Sequence, residues 1–145
     1  MRASPETARR EGRPFRLYAR GASAAFLLVA VYTLLAKAPG GELGRDWSHT
    51  VLHVVTGVFA VYAGWVAASV TPAKLLTAAV GFAYGILGVV GWFIDGVLMG
   101  SSFRIPLAAA DNVFHLLLAL GAAVALAAGR ATSVRAPRAS PGAAE

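Results

Sequence analysis

Residues 105–129 read IPLAAADNVFHLLLALGAAVALAAG, and this stretch decides the fold. Asp111, Asn112 and His115 are the polar side chains set into its apolar run. At about 1.5 Å of rise per residue, a helix of this length crosses a hydrocarbon core of roughly 30 Å. Working outward, three more stretches have the same character: Leu17–Ala36, Trp47–Val70 and Lys74–Ile94, the last stopping at Asp95. Breakers separate them at Ala38-Pro39-Gly40-Gly41, Thr71-Pro72 and Gly100-Ser101-Ser102. The expected fold is an all-α membrane protein of four transmembrane helices over residues 15–130. The segments 1–14 and 131–145 are polar, carry prolines and read as disordered cytoplasmic tails.

Composition agrees with a membrane class. The chain is 57% hydrophobic and 14% charged, where a soluble domain carries about 25% charged residues. There is no cysteine, which excludes disulfides, thiolate metal sites and a thiol nucleophile. Heavy use of Ala, Gly and Arg with little Lys fits a GC-rich bacterial genome. The net charge of +6 lies mostly in arginines of the two tails. Those tails lack interleaved aromatics and a recognisable nucleic-acid fold, so the basic charge reads as membrane orientation and no nucleic-acid partner is expected.

The first span also has features of a signal peptide, with a charged flank and a small-x-small ending at Ala36-Lys37-Ala38. Pro39 hinders cleavage there, and an uncleaved helix is expected. Ten Arg and Lys residues then fall on one side: Arg2, Arg9, Arg10, Arg13, Arg16, Arg20, Lys74, Arg130, Arg135 and Arg138. Three fall on the other: Lys37, Arg45 and Arg104. The positive-inside rule places both termini in the cytoplasm of a multi-pass protein of the bacterial cell membrane. Arg20 is expected to snorkel to the interface. Trp47 and Trp92 would belong to the outer aromatic belt, Tyr18 and Trp65 to the inner one.

Both outward-starting ends carry ligand-type side chains. His49 and His53 are spaced i, i+4 and share one helix face; Asp111 and His115 repeat that spacing. Thr56, Ala60 and Gly64 continue the first face, and Ala119 and Ala122 the second. Small residues let membrane helices approach closely, so the polar groups are expected inside the bundle. Gly81, Gly85 and Gly88 share an arc of the third span with Asp95. A shift of 62 positions lays His49 and His53 on Asp111 and His115, as a tandem repeat of two helical hairpins would.

Ionisable groups within a membrane span are functional-site candidates. Three readings fit. The groups could bond one another as a structural network of an accessory membrane protein, with Asp46 or Ser48 and Asp111 capping helix starts. They could hold a metal ion on His49, His53, Asp111 and His115, or a haem between His53 and His115. They could relay protons or line a small transporter, which in so small a bundle would need a homo-oligomer. The partners expected are the lipid bilayer and, in a homo-oligomer, further copies of the same chain. No zincin, P-loop, nucleophile elbow or Rossmann pattern is present, and Ser101 and Ser102 lack a base. The sequence therefore gives no catalytic assignment.

The segments from Asp46 to Gly57 and from Pro106 to His115 resemble those of the bacterial four-helix membrane proteins grouped as domain of unknown function four-three-eight-three. His53 with Gly57, and Asp111, Asn112 and His115, carry the likeness, which spans about residues 16 to 129. The resemblance implies an integral membrane protein without an established activity.

Overall fold

The computed structural model describes residues 5–37, 43–94 and 108–134. They form four helices: α1 (Pro5–Lys37), α2 (Leu43–Val61), α3 (Thr71–Val90) and α4 (Ala109–Val134). A π-helical turn, Tyr62–Val66, closes α2. There is no strand among the described residues. Each helix contains a stretch long and apolar enough to cross a bilayer: Arg10–Leu35, Trp47–Val66, Thr71–Val90 and Ala109–Thr132. The outer surface is correspondingly apolar. Leu28, Tyr32, Leu35, Phe82, Phe93, Leu117 and Leu120 all stand more than half exposed, a coat that water would not tolerate over so wide an area. The chain is an integral, multi-pass membrane protein.

Small residues set the packing. α1 presents Phe15, Ala19, Ala22, Phe26, Ala30 and Thr33 as a buried stripe at steps of three and four. It packs on all three other helices, most extensively on α2. Gly57 meets Phe26 and Leu27, while Gly64 lies against the α1 backbone at Ala19 and Arg20. A Cβ at Gly64 would stand 2.9 Å from Arg20 Cγ and 3.1 Å from Arg20 N. The second close pair is α3 with α4. There Gly81 faces Ala122, Gly85 faces Ala119 and Gly88 faces Leu116. The arc of glycines on α3 and the alanines of α4 thus interleave, as their spacing predicts. The result is two close helix pairs, α1 with α2 and α3 with α4, joined across α1.

Several boundaries differ from the sequence expectation. Residues 5–14, expected as disordered tail, are the first three turns of α1. Buried Gly12 fits closely against Val70. The helix continues through Pro14. α4 likewise runs four residues past 130. Pro72 lies in the first turn of α3, where its missing N–H costs nothing. α2 begins at Leu43, so Asp46 and Ser48 lie within the helix and do not cap it. Tyr18 turns inward from the expected aromatic belt and donates its hydroxyl to Leu118 O at 3.0 Å. The expectations for Asp95, the Gly96–Gly100 spacing, Ser101 and Ser102 lie outside the described residues.

Candidate metal centre

His49 and His53 sit one turn apart on α2, with Nε2 to Nε2 at 2.8 Å. His115 reaches them from α4. Its ring centroid is 6.0 Å from that of His49 and 6.3 Å from that of His53. One ligand nitrogen from each imidazole lies within 4.8 Å of the others. A tetrahedral ion bonded at about 2.0–2.1 Å separates two nitrogens by about 3.3 Å. Shifts of the order of an ångström would therefore close the trio on one ion. Six residues of rise put His53 about 9 Å into its span, and six residues put His115 equally deep. The equal depth follows from the matching positions of the two histidines in spans that run the same way.

Aromatic rings hold the imidazoles in place. Phe114 stacks on His53 at 5.6 Å and 20°. Phe26 meets His53 edge-on at 5.5 Å, and Tyr84 meets His115 edge-on at 4.9 Å. α2 and α4 have little backbone contact, so these rings and the histidines span the space between them. All three histidines are buried, His53 and His115 to 2% exposure or less. The Nδ1 atom of His115 and the Oδ1 atom of Asn112 are buried without a hydrogen-bond partner. An unpaired buried polar atom costs about 1–3 kcal/mol. Native sites that carry such atoms often have a further group, such as a water or an ion, to meet them.

The expected ligands separate into distinct roles. His49, His53 and His115 converge. Asp111 does not join their nitrogens; its Oδ2 accepts the Ala108 backbone N–H at 3.2 Å. That bond folds back over the first turn of α4, as the acidic arm of a capping box does. Asp111 nevertheless lines the same cleft as His49 and His53, together with Tyr32, Thr33, Thr50 and Phe114. The cleft has a volume of about 200 Å³ and opens between α1, α2 and α4. Asn112 turns to α3 and lies directly on Gly91.

Sequence reasoning missed Phe26 and Tyr84. Tyr84 lies on the same arc as Gly81, Gly85 and Gly88, and Phe26 on the small-residue stripe of α1. A large ring among small neighbours was the available signal. Comparison with family models, with curated proteins and with solved structures finds no match.

Proposed function

We propose that this membrane protein holds one transition-metal ion on His49, His53 and His115. The observation that carries the reading is the convergence of three buried imidazole nitrogens from two helices within 4.8 Å. Imidazole suits Zn, Cu, Fe and Ni, and three protein ligands leave one position for water or a small ligand. His49 and His53 line the cleft together with Asp111, whose carboxylate would offset part of the charge of a bound ion. The positive ends of α2 and α4 oppose a cation by about 0.3–1 kcal/mol each. Structural zinc binding contributes roughly 10–16 kcal/mol, so the dipoles do not decide the outcome.

A single ion fits better than a haem. The cleft of about 200 Å³ is below the roughly 300–1,000 Å³ typical of organic ligand sites. His49 also stands within hydrogen-bond distance of His53, where a macrocycle would have to pass. Transport through one copy is disfavoured by packing. Ala19, Ala63, Ala73, Leu76 and Val80 fill the far half of the bundle with apolar side chains. On this reading the protein is a metal-binding member of the bacterial four-helix proteins it resembles. Its site lies towards the outer face of the membrane and both termini are cytoplasmic.

Elemental analysis and a visible spectrum of protein purified from its native membrane test the reading. About one ion per chain is expected, removed by a chelator and absent from His53→Ala and His115→Ala. A chain that takes up no Zn, Cu, Fe or Ni, even after reconstitution, would leave the imidazoles as a structural hydrogen-bonded network.

A further inference from the structure

At the opposite end of the bundle from the histidines, Arg13, Arg16 and Arg20 line a cleft of about 550 Å³ between α1 and the residues that follow α2. Steps of three and four place the three arginines on one face of α1. Two of the guanidinium groups are anchored. Arg16 Nη2 donates to the carbonyl oxygens of Ala68 and Ser69, both at 3.1 Å. Arg20 Nε donates to Gly64 O at 2.9 Å, and its guanidinium lies 4.3 Å over the Trp65 ring. A guanidinium carries five N–H donors, and among the described residues these bonds engage one nitrogen of each group. Arg13 is exposed on the same face, and among the described residues no acidic side chain lines the cleft.

Orientation alone requires positive charge at this end, not convergence. Arginines tied to backbone carbonyls have already lost their rotamer freedom, so a ligand need not order them again. The arginine fork matches phosphate oxygens. The depth of the cleft fits the headgroup region, because it lies where α1 enters and α2 leaves the apolar span. Leu17 lines it, and Trp65 stands 63% exposed beside it, giving an apolar wall along which acyl chains can lie. Basic clefts between transmembrane helices bind anionic headgroups for these reasons.

We infer that Arg13, Arg16 and Arg20 form a binding site for the phosphate of an anionic phospholipid from the adjoining leaflet. The inference stands apart from the metal reading and shares no residue with it.

The test uses the full chain purified in neutral detergent, with thermal unfolding and native mass spectrometry as readouts. The probes are short-chain phosphatidylglycerol, phosphatidylcholine and inorganic phosphate. Phosphatidylglycerol should raise the melting midpoint and remain bound in the mass spectrometer, while the other two should do neither. Among the described residues Arg13 makes no hydrogen bond, so Arg13→Gln tests binding without removing a helix cap. It should weaken phosphatidylglycerol binding about fivefold, and its midpoint in lipid-free detergent is the folding control. Arg16→Lys, which keeps the charge and loses the fork, should also weaken binding. Equal retention of phosphatidylcholine would overturn the site. So would an Arg13→Gln variant that binds phosphatidylglycerol as the parent does. Inorganic phosphate acting as well as the lipid would show a free-anion site and overturn the lipid assignment.

Discussion

Three polar residues in the first two turns of α4 do three different jobs, and their geometry explains why. Asp111 lies in the first turn, where a backbone N–H without a helical partner is its nearest donor. Asn112 is rotated by about 100° from it and points at α3. His115 comes one turn below Asp111 on the inward face and meets α2. The i, i+4 spacing of Asp111 and His115 puts them on one face of α4. It could not show that the aspartate is taken by Ala108 N–H, because that depends on where the helix begins. Asn112, 1% exposed, fits only because Gly91 has no Cβ. Gly91→Ala should therefore displace the amide and destabilise the fold by about 1–3 kcal/mol, as overpacking does. Thermal unfolding in detergent measures this, and a variant as stable as the parent would mean the two helices part easily there. Asn112→Ala combined with Gly91→Ala should recover part of the loss, since the added methyl then has room.

The π-helical turn ending α2 shows how an element is finished where water is scarce. The last carbonyls of any helix lack intrahelical partners, and in a bilayer such groups need a protein donor. Here Ala67 N–H reaches Tyr62 O at 2.8 Å, and the arginines of α1 serve Gly64, Ala68 and Ser69. Arg20 lies across the end of α2 because Gly64 lets the helices touch. The sequence expectation ran the second span on to Val70, since apolarity continues to that point. Besides Ala67 N–H, the donors that meet the carbonyls at this end come from residues more than 40 positions away, which no local pattern encodes. Arg20→Ala should leave Gly64 O unsatisfied and lower stability by about 1–3 kcal/mol. Arg20→Lys should restore part of this through a single donor. Gly64→Val should be worse than either, because its side chain meets α1 backbone. Denaturation of the three variants in one detergent orders them, and equal stability of Arg20→Ala and the parent would show that the carbonyl finds another donor.

For the whole molecule, the number of spans and their small-residue faces were legible because apolar length and helical period are local properties. The aromatic enclosure of the histidines was not, since it joins side chains from all four helices. The molecule is polarised along the membrane normal. Three imidazoles and Asp111 lie near one end, and Arg13, Arg16, Lys74 and Arg130 near the other. If the basic end is cytoplasmic, metal must reach the histidines from outside. Both halves of that statement can be measured in the same cells. The chain has no cysteine, so a single one introduced between residues 38 and 44 is a clean reporter. An impermeant maleimide should label it in intact cells, whereas a cysteine at position 140 should react only after permeabilisation. In parallel, an impermeant chelator added to intact cells should strip the bound ion from the parent chain. Labelling with the opposite pattern would reverse the orientation and bring the histidine end to the cytoplasm. Labelling as expected without loss of metal would mean that the cleft beside Asp111 does not give access to the ion from the outer face.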